Sequence, residues 1–371
     1  MKKLSRRTFA KLGWGSVLAL ASSGIGTVCA KNDSSSGPGS VPKINASVGA
    51  VKGDSLDSMT RDAIEAVGGM GSVVNEGETV FIKPNMVNPY GAGTGDSTKP
   101  ELLIATAEEC LKAGASEVII GDGGQYPVFP WEHLIYLDGS TNIISEVEKL
   151  NANYTGSVRL SCLENDFLSN LEIDSVSHGK LFISSIYNSI DKIISIPVAK
   201  THRWGQLTLG LKNFFGVISH DYSTKITLPN GWEYWDRGTG NTGIDHSSAA
   251  VIADTMLDIV SYKKPDLTII DFSICVEGDG PDSETGKTLD VKTRLGSYLV
   301  LASKDIMAAD ATAARIMSHN VADIIQLTKG YDLGLGEIHE ENIELTGERL
   351  SDLIMPWQPA KGVVPVELPR G

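Results

Sequence analysis

Short apolar runs alternate with longer amphipathic segments along most of this chain, and that rhythm predicts its elements. Apolar, β-branched runs at Ala46–Val51, Thr79–Ile82, Glu117–Ile120, Ile193–Pro197, Leu267–Ile270 and Tyr298–Leu301 read as strands. Segments with apolar residues at helical spacing read as helices at Ser55–Val67, Pro100–Ala113 (closed by Gly114), His246–Val260 and Asp305–Met317. Strands separated by helices predict an α/β fold, a mostly parallel sheet with helices on both faces. Two irregular insertions, Gly123–Gly139 and Ser219–Asp245, interrupt the rhythm and are rich in glycine and aromatic residues. The second carries Trp232, Tyr234 and Trp235 and reads equally as a binding loop or as a surface flap packing its own rings.

The N-terminus does not follow this pattern. Ser5-Arg6-Arg7-Thr8-Phe9-Ala10-Lys11 is a twin-arginine pattern, followed by an apolar run diluted with Gly, Ala and Ser from Leu12 to Val28. Small residues at Val28 and Ala30 predict cleavage after Ala30. Residues 1–30 are thus expected to be a twin-arginine signal, and the Ser/Gly/Pro-rich stretch 31–43 a flexible linker. The α/β domain is expected over 44–350 and a C-terminal tail over 351–371. The export machinery is an expected partner, and the mature chain is expected to be periplasmic, without stable membrane insertion. An uncleaved anchor or a lipid on Cys29 ranks lower, because the run is short and glycine-rich for a spanning helix.

Charge and cysteine content narrow the function. The full chain of 371 residues has a formal charge of −14, and loss of the leader, with five basic and no acidic residues, takes it to −19. Nucleic acid is therefore not an expected partner, since phosphate binding needs a basic face. Cys110, Cys162 and Cys275 are far apart and include no C-x-x-C pair, so no iron–sulfur motif is present.

In open α/β sheets ligands bind at the carboxyl ends of strands. The residues expected there are Lys83 and Asn85, then Asp122, then Lys200-Thr201-His202, and finally Asp271, with Glu277 on the glycine-rich turn that follows. Residues two apart in a strand point the same way, so Lys200 and His202 are expected to share a face. The segment Leu207–Phe215 is apolar on every side, which predicts burial of Lys212 beside Asn213; a buried lysine is costly unless something negative meets it. Thr98, at the start of a helix, is expected to approach the same place. Two chemistries suit the set. Lys83, Lys200 and Lys212 suit an oxyanion with His202 or a carboxylate moving a proton, while Asp122 and Asp271, with His202 or Glu277, suit a divalent metal. Spacing does not choose between them.

No phosphate loop, nucleophile elbow, H-E-x-x-H or dinucleotide fingerprint is present. The ordered series F-I-K-P-N at Phe81, T-K-P-E-L at Thr98, V-I-I-G-D-G at Val118, A-K-T-H at Ala199, L-K-N-F-F-G at Leu211, G-D-G-P at Gly278 and S-K-D-I-M-A-A-D-A at Ser303 resembles the domain-of-unknown-function 362 family. The resemblance implies no general activity. It carries over to Lys83, Asn85, Asp122, Lys200, His202, Lys212, Asn213, Asp271, Asp305 and Asp310. Some relatives are joined to a ferredoxin-like module, which implies redox work there; this chain lacks that module.

The leading expectation is an exported protein acting on a small anionic or carbonyl-bearing molecule, with divalent metal as the candidate cofactor. Lys83, Lys200, His202 and Lys212 are the catalytic candidates, and Asn85, Thr98, Asn213 and Trp235 the substrate-binding ones. A periplasmic ligand- or cofactor-binding protein without catalysis, and a redox-associated protein, are the alternatives. A fourth expectation is that Lys200, His202 and Lys212 form a structural ion network.

Overall fold

The computed structural model describes residues 46–86, 91–123, 131–166, 170–219, 225–227, 233–235 and 248–361. The expected signal, the linker and Trp232 lie outside the described residues, as do most of the second insertion and positions 362–371.

In chain order the strands are β1 (Ala46–Gly53), β2 (Thr79–Pro84), β3 (Glu117–Asp122), β4 (Ser157–Cys162), β5 (Asn170–Ser175), β6 (Gly179–Ser184), β7 (Lys192–Ile196), β8 (Val198–His202), β9 (Gln206–Thr208), β10 (Lys225–Thr227), β11 (Glu233–Trp235), β12 (Leu267–Gly278), β13 (Gly286–Asp290), β14 (Tyr298–Ser303) and β15 (Ile343–Gly347). The α-helices are α1 (Leu56–Ala66), α2 (Pro100–Lys112), α3 (Ile143–Asn153), α4 (Leu163–Asp166), α5 (Gly210–Asn213), α6 (Ala249–Tyr262), α7 (Lys292–Leu295), α8 (Ile306–Ile316) and α9 (Ile325–Asp332).

The main sheet runs in the order β15-β1-β14-β12-β7-β2-β3-β4. Neighbours from β12 through β4 are parallel, as is the β1–β15 edge, whereas β14 is antiparallel to both β1 and β12. The expected α/β architecture is present, as a mixed and mostly parallel sheet. Its strands read as unbroken apolar runs because both faces are covered. Val80 and Ile82 of β2 pack with Val118, Ile120 and Ile194 against the side carrying α1, α2 and α3. Phe81 between them packs with Ile119, Ile193 and Ile270 against the side carrying α6 and α8. A strand's two-residue side-chain period thus feeds two cores at once.

One break in the sheet creates the strand ends that matter for function. The sequence I-I-S-I-P-V-A-K-T-H is continuous in hydropathy, but Pro197 has no amide hydrogen to give to a ladder. The run splits there into β7 and β8, the carbonyl of Pro197 accepts from Asp271 N at 2.9 Å, and β8 continues along the later half of β12. The register between β12 and β8 is irregular between Asp271 and Val276. Lys200, Thr201 and His202 are thereby carried past the end of β7 and held by the short hairpin partner β9, which pairs Lys200 with Thr208 and His202 with Gln206.

Several elements escaped the sequence pattern. The hairpin β5–β6, the edge strands β4, β13 and β15, and helices α3 and α9 are among them. Leu353, Met355, Trp357 and Ala360, expected in a tail, are buried in the core. Among the described residues, no helix is long and apolar enough to cross a membrane.

Phe272 of β12 is fully buried and meets Trp357 edge-on, with ring centroids 5.8 Å apart. Phe272→Ala should lower unfolding free energy by about 3–5 kcal/mol, the range for an aromatic deleted from a close-packed core. Guanidinium denaturation of the two proteins, compared at constant slope, checks this.

Candidate functional site

Four consecutive residues, Asp96-Ser97-Thr98-Lys99, cross the carboxyl ends of the central strands and are fully buried. Gly95, just before them, has φ of +84°, and a Cβ there would lie 2.5 Å from the carbonyl oxygen of Cys275 in β12. Only glycine allows that approach. Ser97 then bridges to Met86 beyond β2. The Thr98 amide donates to Asn85 O at 2.9 Å, and its hydroxyl donates to Ile196 O at 2.6 Å while accepting from Asn85 N at 2.9 Å. The single hydroxyl proton of Thr98, a substrate-binding candidate, is thus committed to the end of β7.

Lysines complete the lacing. Lys99, the residue just before α2, lies 3.3 Å from the Asp271 carboxylate, donates to the carbonyls of Ile274 and Ser97, and is wholly buried. The other oxygen of Asp271 accepts from Ser273 N at 2.9 Å and from its hydroxyl at 2.5 Å. Lys200 donates to Asp96 O at 2.9 Å, and the Asp96 carboxylate in turn accepts from Ser283 N at 2.7 Å and Ser283 Oγ at 2.9 Å. Burial pulls the Lys200 ammonium down to about 8, opposed by Asp96 and reinforced by the neighbouring Lys99 charge. Sequence reasoning missed Lys99. The available signal was Asp271 itself, a carboxylate at the end of an all-apolar strand that demanded a cation from elsewhere in the chain.

The third buried lysine sits one strand over. Lys83 Nζ lies 2.6 Å from Asp122 Oδ1 and donates to Pro84 O at 2.6 Å, and Asn213 Oδ1 stands 3.5 Å away. Asn213 Nδ2 donates to Lys83 O at 2.8 Å and to Ser195 Oγ at 3.0 Å. Asp122 Oδ2 accepts from Met86 N at 2.8 Å. Gly216 closes over this pair: a Cβ there would lie 2.1 Å from Asp122 Oδ1 and 2.6 Å from Lys83 Nζ. Beside it, the Asn85 side-chain oxygen is buried with no hydrogen-bond partner among the described residues.

The remaining candidates divide. His202 shares the buried face of β8 with Lys200, as expected, but its Nδ1 accepts from Trp204 N at 3.1 Å and Gly205 N at 3.0 Å. Two amide donors make Nδ1 an acceptor, so the ring proton sits on Nε2. His202 therefore fastens the turn after β8, and any proton it moves leaves through Nε2. Lys212 is only partly buried, with Nζ 3.6 Å above the Phe215 ring, which corrects the expectation of full burial. The apolar run around it folds as a four-residue helix and a 3₁₀ turn in which Gly210, Leu211, Asn213, Phe214, Phe215 and Val217 are buried and Lys212 is left partly open. Nothing is described for the side chain of Trp235.

The metal expectation is also corrected. Asp122, Asp271 and Glu277 do not form one ligand set, and among the described residues no three His, Cys, Asp or Glu side chains gather for a metal. Each carboxylate has its own partner. Glu277 takes Arg294 at 2.6 Å and the amide of Gln358 at 2.8 Å, which ties the C-terminal stretch to the site. Gln358 O and Gly278 O both accept from the Thr201 hydroxyl, at 3.1 and 2.8 Å.

Replacing Asp122 by Ala leaves the Lys83 ammonium buried without its counter-charge, which should cost about 3–5 kcal/mol. The double variant Lys83→Met with Asp122→Leu should recover most of that loss, and urea unfolding of the single and double variants measures the difference.

Comparison with other proteins places this arrangement. Thylakoid-associated protein sll1697 of Synechocystis sp. is 24% identical over 315 residues, covering 81% of this chain and 85% of that protein. Among solved structures, the lactate racemase apoprotein from Thermoanaerobacterium thermosaccharolyticum superposes with a TM-score of 0.38 and 13% identity, over 75% of this chain and 59% of that one. A Thermotoga maritima protein superposes with a TM-score of 0.33 and 11% identity, over 64% and 55%. The model of the family described as Domain of unknown function (DUF362) matches residues 80–315, spanning β2 to α8 and all three buried lysines, and the chain belongs to that family.

Proposed function

We propose that the carboxyl edge of β2, β3, β8 and β12 binds a small anionic or carbonyl-bearing molecule, with Lys200 as the group that meets it. One observation carries this reading. Lys83 and Lys99 each face a carboxylate within 4 Å, whereas fully buried Lys200 has its one described hydrogen bond to a neutral carbonyl, and its ammonium is pulled down to about 8. An anion beside Lys200 would restore charge balance in a low-dielectric setting. Near pH 8 the same amine is partly neutral and competent to move a proton or attack a carbonyl carbon. A divalent metal at Asp122 or Asp271 would first have to displace Lys83 or Lys99, so the ammonium reading is preferred over the metal one. Whether turnover follows separates an enzyme from a carrier.

The Lys200–Asp96 O bond favours a second reading, in which Lys200 only clamps the 96–99 segment. Thermal melts with phosphate, acetate, oxalate and pyruvate distinguish the two. A binding site predicts that at least one of these raises the melting temperature of the wild type and that Lys200→Met abolishes the rise. A clamp predicts no Lys200-dependent shift, with Lys200→Met neutral or stabilising.

The pH dependence has a definite sign. A lysine at about 8 when folded and 10.5 when unfolded binds fewer protons in the native state between those values, so its contribution to stability rises with pH across that window. Lys200→Met should flatten that rise in urea midpoints measured from pH 7.5 to 10.5.

Export belongs to the same proposal and rests on the twin-arginine pattern at Ser5–Lys11. Intact mass of protein recovered from the periplasm of an expressing bacterium should correspond to a chain beginning at Lys31; a full-length mass found only in the cytoplasm would refute it.

A further inference from the structure

Helix α5 is only four residues long, and its preceding residue, Leu209, offers no side-chain cap. A helix this short does not hold itself together in water. Its two leading amides are met from across the core: Asp310 of α8 accepts from Gly210 N at 2.7 Å through Oδ1 and from Leu211 N at 2.9 Å through Oδ2. Gly210 is needed for this contact, since a Cβ there would lie 2.8 Å from Asp310 Oδ1, 2.9 Å from Thr268 and 3.0 Å from Ile306. The far end of α5 is Asn213, whose side chain spans Lys83 O and Ser195 Oγ.

We propose that Asp310 is a positioning residue for the ligand site: through α5 it sets the placement of Asn213, and thereby of the Lys83–Asp122 pair, and it does so only while both of its oxygens can accept. This rests on the reading of the Lys83–Asp122 end of the sheet as part of the binding site. A protonated carboxyl keeps one good acceptor and releases one amide of α5.

The surroundings make this protonation reachable near neutrality. Burial raises the Asp310 carboxyl to about 7 against the pull of its two amide donors, and Asp305, at the start of α8, adds to the rise. Charged groups on the adjoining elements are occupied elsewhere. Lys212 of α5 lies over Phe215, Asp254 of α6 pairs with Lys329 of α9, Asp258 of α6 accepts from Val176 N, and Asp271 of β12 pairs with Lys99. Thr268 and Ile306, which flank the contact, bear no charge.

Two effects of pH then run in opposite directions. A carboxyl raised from 3.8 to about 7 on folding contributes stability that is present below 3.8 and lost as pH rises through 7. The cap on α5, in contrast, is complete only above 7. The first trend follows from burial of the carboxyl alone, so the second is the one that reports on positioning.

Ligand-free hydrogen exchange of the full chain from pH 5.5 to 8.5, corrected for intrinsic rates and referenced to β14 amides, tests the proposal independently of whether any ligand binds. Expected is a loss of protection at Gly210 and Leu211 of roughly fivefold on descending through pH 7, the effect of one lost cap bond. A parallel loss is expected at the Met86 amide, which donates to Asp122. In Asp310→Asn both sites should stay at the low-pH level throughout. Flat protection in the wild type overturns the proposal without need of any variant. A step at Gly210 and Leu211 with none at Met86 also overturns it, because Asp310 would then cap α5 without positioning the Lys83 pair.

Discussion

A cation taken out of water must be met by oxygen, and the architecture of this site follows from meeting that condition three times within one layer. Lys83, Lys99 and Lys200 are the lysines fully buried among the described residues, and all three ammoniums lie where central strands end. Their oxygens come from four separate stretches: Asp122 and Pro84 for the first, Asp271 with Ile274 and Ser97 for the second, Asp96 for the third. The bonds to Asp122, Asp271, Ile274 and Asp96 join segments distant in sequence, so the desolvation demand of the charges organises the chain around them. Removing one member leaves its partner stranded in low dielectric, which is why such a cluster behaves as a unit.

That demand also explains the neutral parts of the site. Thr98, Ser195 and Asn213 spend their hydrogen bonds on backbone groups and each other, and Ser273 spends its hydroxyl on the Asp271 carboxylate, keeping the buried polar chain almost closed. Gly95, Gly210 and Gly216 are where backbone or carboxylate comes too close for a Cβ. Two places stand apart from this closure. Among the described residues the Asn85 oxygen has no partner and Lys200 faces no carboxylate at ion-pair distance. These two points are what the proposed ligand reading rests on.

Much of the framework was legible from residue order. The strands at Thr79, Glu117 and Leu267 and the helices at Ser55, Pro100 and Asp305 were visible because both faces of a covered sheet must be apolar and helices must repeat at their own period. Lys83, Asp122, Lys200 and Asp271 stood out because charge at the end of an apolar run is rarely idle. What stayed hidden was pairing. Nothing near Asp271 in sequence announces Lys99, 172 positions away, and nothing near Leu209 announces Asp310, about 100 positions on. The partners of Glu277 and Thr98 stayed hidden for the same reason: Arg294, Gln358 and Ile196 lie elsewhere in the chain.

The amino-acid order alone therefore determined the class of fold, the family and the strand ends at which chemistry is to be sought, because local periodicity and the cost of burying charge are properties of short stretches. The tertiary structure decided which carboxylate neutralises which ammonium, which nitrogen of His202 carries its proton, and that Lys212 is half-open to solvent while Lys99 is closed. Those outcomes depend on distances of a few ångströms between segments whose separation along the chain carries no information about their separation in space.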